Sequence, residues 1–408
     1  MAVSAARAPT ASFAVTLACV TLIGPLAIHL YLPVVPDIKD AFGVAPWLAE
    51  LSFSISLATM AVATLVYGSL SDRFGRRPVL LWGLGLFLAG SVLSAAAGTI
   101  ALLIAGRLVQ AVGAGCSLTI TRAMARDIYG PDRLVKAIAY LTMAYTLGPM
   151  IAPPMGGFLA DNVGWRAVFW FAIAAGGAIS LAAFAILGET RRGSGPSGRS
   201  LLRDYGVLFA DLRFSAFVLQ SGFCSGSFFA IAAASPFLMQ ESLHRSATEY
   251  GLYFFAFPAG YCVGNFVASH LAGRVPIERM VMLGSLVNLA SVAGQAAMIL
   301  LGHLTIASIF VPGFFITLSQ GLALPNAQAG AMQTKPELAG TSAGIGVFCQ
   351  TLASGVFAEF YGLLADGTPV PMIEVAAFAS LLTLVCGAVP LLCPAVPQSA
   401  RPRPRPIR

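Results

Sequence analysis

Twelve stretches of the chain are almost continuously apolar. They run, within a few residues at each end, over 12–35, 46–71, 78–98, 100–122, 136–160, 166–188, 213–240, 250–272, 278–301, 304–325, 338–362 and 372–394. Each is about as long as the roughly 20 residues a helix needs to cross a bilayer. The apolar positions are continuous rather than alternating, which predicts spanning helices and not the short strands of a barrel. The expected fold class is an all-α polytopic membrane protein with twelve transmembrane helices. The longest polar gap, 189–212 (ETRRGSGPSGRSLLRDYGVLFADL), is rich in Gly, Ser, Pro and Arg and divides the runs six and six. The expected organisation is an N-terminal six-helix half over 1–188, a central loop over 189–212, a C-terminal half over 213–394 and a basic, disordered tail over 395–408.

Composition removes the soluble alternative. Apolar residues make up 57% of the chain and charged residues 10%, whereas soluble domains carry about a quarter charged residues. The net charge of +7 does not point to nucleic acid, because it is scattered over short loops and forms no continuous basic face. All seven cysteines lie in apolar runs without metal-ligand spacing, so they read as small packing residues. The first run is too long for a signal-peptide core and is kept as a span.

Charge then orients the spans. With the N-terminus inside, 20 of the 24 Lys and Arg residues fall on inside loops, and only Lys39, Arg166 and Arg245 fall outside. This positive-inside bias places both termini in the cytoplasm and holds only for an even number of helices.

The densest cluster of charge is GSLSDRFGRR, 68–77, between the second and third runs. Gly68 and Gly75 allow a sharp turn and close helix approach. Arg73 and Arg76 are placed to pair with Asp72 and with Asp127 at the end of the fourth helix, and Arg77 completes the cluster. A simple topogenic turn accounts for the arginines but not for the acid and the glycines. HLAGRVPIERMVMLG, 270–284, is an echo of this stretch in the second half, without the acid.

Enzyme chemistry finds no support. There is no HExxH or CxxC, and none of the three lysines follows a glycine, so no P-loop is present. No cofactor or metal site is expected. Transport without direct ATP use remains, and two six-helix halves suit alternating access. Arg107 lies inside a span, where a charge costs at least about 2.5–3.5 kcal/mol and needs a cavity, a partner or a route to snorkel outward. The segment GPMIAPPMGG, with Gly148, Pro149, Pro153, Pro154, Gly156 and Gly157, combines kinking with small packing faces. Tyr31, Gln110, Phe223, Phe228, Asn326 and Gln350 are the polar and aromatic candidates for a cavity, although such residues also serve helix packing. Glu50, at the start of the second helix, and Glu359, late in the eleventh, are further ionisable candidates; both lie near the outer ends of their helices, where water can also simply solvate them.

Taken together, these motifs resemble the major facilitator superfamily. GSLSDRFGRRPVLL is similar to its loop between helices two and three, and RLVQAVGAG, 107–115, to its fourth-helix motif. LGPMIAPPMGGFL, 147–159, resembles the fifth-helix motif of drug:proton antiporters. YLPVVPDI, RAMARDIYG, GWRAVFWF and GTSAGIGVFCQ are similar to the Bcr/CflA drug-resistance branch. The resemblance implies a multidrug exporter of the bacterial inner membrane that exchanges amphipathic drugs or metabolites for protons and works as a monomer. It also implies that Asp72 touches helix eleven when the cytoplasmic side is shut. In that branch the first helix usually carries an acid two residues before Tyr-Leu-Pro; here that position is His29. Histidine titrates near neutrality and could bind a proton or an anionic substrate, or serve as a hydrogen-bonded structural residue. The missing acid keeps open a metabolite exporter or uniporter without proton coupling. A non-transporting membrane sensor is the alternative from another class.

Overall fold

The structure is a computed structural model that describes residues 11–191 and 201–393. The expected tail, and Arg7, Arg192 and Arg199, lie outside the described residues. Eleven helices are long and apolar enough to cross a membrane: α1 (Ala11–Phe42), α2 (Pro46–Phe74), α3 (Arg76–Ala95), α4 (Ile100–Tyr129), α6 (Ala167–Ile186), α7 (Leu212–Ser242), α8 (Ala247–Leu271), α9 (Ile277–Leu300), α10 (Ile306–Thr334), α11 (Pro336–Leu364) and α12 (Val370–Leu392). The remaining expected span, 136–160, lies in α5 (136–163), the far arm of a backbone that is helical without a break from Cys116 to Val163.

That 48-residue segment is not one rod. Ser117 and Tyr145 both approach Gly24 on α1, within 3.0 and 3.8 Å of where its Cβ would stand. A straight helix would separate them by about 42 Å at 1.5 Å per residue. The segment therefore doubles back between them, and α5 returns beside α4. Prolines break other helices where the sequence places them. α1 passes through a 3₁₀ turn at Leu32–Val34, and α7 ends in a π turn, Leu238–Ser242, just after Pro236. The polar gap before α7 contains a short helix, Leu201–Phe209, where a loop was expected.

The two halves, α1–α6 and α7–α12, meet along two main seams. α2 packs on α11, and α5 packs on the start of α8. Every hydrogen bond or ion pair that joins the halves among the described residues lies at one end of the molecule. Lys39 pairs with Glu241 at 2.6 Å, and Gln240 donates to the Pro33 carbonyl at 2.8 Å. Ser54 donates to Glu359 at 2.5 Å, and the Asp161 carboxylate accepts from the Ala247 and Thr248 amides at 3.2 and 2.7 Å. This end is opposite the arginine-rich turn, and it is the closed face.

Candidate functional site

The arginine-rich turn is built around Arg76, which is buried. Its guanidinium donates to Ser71 Oγ at 2.6 Å, to Asp127 Oδ2 at 3.1 Å and to Asp72 Oδ1 at 2.6 Å. Arg73 does not join this pairing. It lies over the Phe74 ring, and its carbonyl accepts from Arg191. Arg77 caps α6 through the Leu187 and Phe184 carbonyls, both at 2.8 Å. Gly68 lies on α2 facing Thr119 of α4.

Glu189, not singled out above, holds the turn from beneath. Its carboxylate accepts from the amides of Arg76, Arg77, Thr190 and Arg191 at 2.9–3.1 Å. Desolvation pushes this carboxyl upward, but the four backbone donors outweigh it and hold it below the usual glutamate range. Gly75 is required here on two counts. Its φ is 99°, and a Cβ would fall 2.6 Å from Glu189 Oε2. The only sequence sign of Glu189 was an acid opening the longest polar gap.

Among the described residues no hydrogen bond or ion pair joins Asp72 to the second half. It pairs within its own turn, and its side chain is 58% exposed. The corresponding turn of the second half has a different tie: Arg213 pairs with Glu278 and donates to the Pro390 and Cys393 carbonyls.

Deeper in the first half, Arg107 is buried and held in a network. It donates to the Ala27 carbonyl at 2.8 Å, the Ser52 carbonyl at 3.3 Å and Gln110 Oε1 at 2.5 Å. Its guanidinium lies 4.1 Å from the Tyr31 ring centroid, and Tyr31 hydrogen-bonds Ser52. Gln110 passes the chain on to Ser91 at 2.8 Å. Partners, not snorkelling, accommodate the charge. One Arg107 nitrogen, Nη2, remains without a partner.

The expected cavity set does not form one site. Tyr31 and Gln110 belong to the Arg107 network. Phe228 joins a ring cluster with Phe229 and Phe257, and Phe223 packs on Phe357. Asn326 bonds its own helix at the Leu322 carbonyl, and Gln350 is half-buried on α11. His29 is nearly buried, at 9% exposed; among the described residues its Nδ1 has no partner, and its ring packs on Phe229 and Phe254 of the other half. A cavity of about 480 Å³ lies instead at the arginine-rich end of α1, α4 and α5, among Leu17, Tyr129, Arg133, Lys136 and Tyr140.

The fifth-helix motif lies in the half interface. Gly148 and Gly156 face Pro25 and Leu30 of α1, and Gly157 faces the Ala247 main chain of α8. Gly251 of α8 in turn meets Pro153 and Pro154. Pro149 is half-buried on α5 between these contacts. Glu50 corrects the expectation drawn from its position. It is fully buried because α11 of the other half closes over the start of α2, and neither carboxyl oxygen has a partner among the described residues. Glu359 is half-buried and held by Ser54.

Two six-helix halves, joined at one end and carrying a charged turn at the other, agree with a family comparison. The model of the Major Facilitator Superfamily matches residues 17–358. The chain belongs to the Major Facilitator Superfamily. It is a multi-pass membrane transporter and not an enzyme. Among relatives of this facilitator, Multidrug resistance protein D of Escherichia coli (strain K12) is 28% identical over 374 residues, covering 91% of this chain and 92% of its own. Multidrug resistance protein MdtL of Escherichia coli O81 (strain ED1a) is 27% identical over 370 residues, covering 89% and 92%. Solved structures share the facilitator fold. A POT family transporter in complex with 5-aminolevulinic acid gives a TM-score of 0.75 at 12% identity, over 93% of this chain and 95% of its own. A bacterial homolog of the human lysosomal transporter Spinster, in an inward-facing and occupied conformation, gives 0.71 at 14%, with the same coverage.

Proposed function

We propose that this facilitator is a Bcr/CflA-type multidrug exporter of the bacterial inner membrane, exchanging amphipathic small molecules for protons. The observation that carries the alternating-access part is the one-ended distribution of polar ties between the halves. The positive-inside bias makes the arginine-rich face cytoplasmic, so the closed face is outer and this state is inward-facing. The relatives named for multidrug resistance support the cargo class. In this reading the Asp72–Arg76–Asp127 turn engages the second half when the cytoplasmic side shuts. Gly157 and its neighbours on α5 seal the outer half interface.

Everted vesicles carrying the protein test the function. With an imposed proton gradient they are expected to accumulate a cationic dye or drug, and adding drug is expected to release protons. Absence of both overturns antiport. Accumulation without proton release supports the second reading, a carrier of the same fold without proton coupling. One observation favours that reading: His29, at the position of the family acid, is packed among phenylalanines.

A further inference from the structure

We propose that Glu50 and Glu359 form a proton-binding pair across the α2–α11 seam, and that the closed face forms only when this pair carries a proton. The proposal rests on the proton-coupled reading above and places its coupling site.

Glu50 is buried to 0% exposure, and neither of its oxygens meets a hydrogen-bond donor among the described residues. It lies directly against α11 of the other half. A side-chain carbon added to Gly362 would stand 2.8 Å from Glu50 Cβ and 2.9 Å from Cγ. One turn along both helices, Ser54 donates to Glu359 Oε2 at 2.5 Å. Two carboxyls therefore sit on adjacent turns of two facing helices, one from each half. A third group points to the same place independently. Tyr250 of α8 is buried to 0%, its hydroxyl has no partner among the described residues, and it lies within electrostatic reach of Glu50.

Among the described residues no cation is paired with Glu50. Tyr361 of α11 and Tyr31 of α1 also lie within reach of Glu50. Arg107 directs its bonded nitrogens to Ala27, Ser52 and Gln110, and among the described residues no hydrogen bond or ion pair joins its unpartnered Nη2 to Glu50. His29 is held against Phe229 and Phe254. Glu241 and Asp366, which act on Tyr361, add only negative charge at the rim, and Lys39 is taken up by Glu241 and Asp40.

An ionised Glu50 in this seam would have neither donor nor counter-charge, and an unpaired buried ion costs several kcal/mol. A second carboxylate one turn away adds repulsion. The neutral acid can be buried there. When α2 and α11 part, Glu50 meets the water of that side, where ionisation is no longer penalised. Proton uptake at a Glu50 carboxylate oxygen from that water therefore precedes closure, and loss of the proton favours reopening. The pair places an acid at a seam between the halves, where proton occupancy and conformation are tied directly; the first helix carries His29 at the position of the family acid, and its own acids, Asp37 and Asp40, lie in its last turns after the 3₁₀ break.

The test is double electron–electron resonance on the full chain in lipid nanodiscs at pH 6 and pH 8. Spin labels are introduced as genetically encoded residues at Ala45 and Thr368, both exposed at the closed face on opposite halves. The wild-type closed-to-open ratio should fall at least tenfold between pH 6 and pH 8. Glu50→Gln should remain closed at both pH values, Glu359→Gln should show a reduced shift, and Glu50→Asp should restore pH dependence. A wild type that does not respond to pH, or a Glu50→Gln protein that responds like wild type, overturns the proposal. If Glu50→Gln fails to fold, the Glu359→Gln and Glu50→Asp comparisons decide: full wild-type response in the first, or none in the second, also overturns it. The readout needs no cargo. An intact pH response alongside failed drug accumulation refutes the drug reading alone, and the converse refutes the pair alone.

Discussion

Replacing Gly157 by alanine should force the closed face open. Gly157 sits on α5 against the main chain of α8 in the other half. An added Cβ would overlap the Ala247 carbonyl and fall 2.8 Å from the Thr248 nitrogen. These neighbours cannot rotate aside as a side chain would. They are main-chain atoms, and Asp161 fixes both amides at 3.2 and 2.7 Å. Overpacking of this kind costs about 1–3 kcal/mol. The cost falls only on the closed state, since the contact crosses between the halves. Alanine's helix-propensity advantage of about 1 kcal/mol over glycine applies to both states and cancels. The closed-to-open ratio should therefore fall about 5- to 150-fold. The assay is cross-linking of Lys39→Cys with Glu241→Cys, the pair whose native side chains meet at 2.6 Å, with the exposed Cys262 and Cys393 replaced by serine. Cross-linking should be efficient in the parent and sharply reduced with Gly157→Ala. Gly177→Ala, on α6 with nothing within 4 Å of its added Cβ, serves as the control and should match the parent. Equal yields in all three would refute the steric reasoning.

Two predictions concern the arginine-rich turn. Glu189→Gln should lower the melting temperature at pH 7 and leave it unchanged in strong acid. Because the native carboxyl is held below the usual glutamate range, its contribution is complete at neutral pH. It is lost as pH falls through the folded value, beneath about 4.3; a difference that grows on acidification in a thermal-shift series would contradict this. Asp127→Asn should destabilise the detergent-solubilised protein more than Asp72→Asn does, because Asp127 is 16% exposed and bridges Arg76 and Thr190 whereas Asp72 is 58% exposed. Asp72→Asn should nevertheless impair transport at normal expression, and full transport in that variant would refute a gating role.

Much of the fold is legible along the chain because a bilayer leaves few options for an apolar run of twenty residues. The six-plus-six division and the arginine-rich turn follow from local pattern alone. Arg107 and Gln110 lie one helical turn apart, and their hydrogen bond repeats that spacing. The contacts that matter most between the halves are not local. Glu50 looks like an acid at a helix end until α11, some three hundred residues on, closes over it. Glu189 looks like the first residue of a loop, yet it accepts four amides, two of which come from a turn more than a hundred residues earlier. Asn326 qualifies as a cavity residue by polarity, but polarity does not distinguish a residue that faces a ligand from one that, like Asn326, bonds its own helix.

The arginine-rich turn is complete although, among the described residues, no polar tie reaches it from the other half. Arg76 is already anchored to Ser71 and Asp127, Glu189 already clamps the backbone, and Asp72 already has its orientation. Whatever docks against this face therefore meets a surface with little left to order. The side-chain entropy that normally opposes forming a contact has been lost in folding the first half, at a moment remote from the transport cycle. The barrier to shutting this side should then reflect rigid-body motion of the halves and the displacement of water, with little contribution from assembling the latch itself.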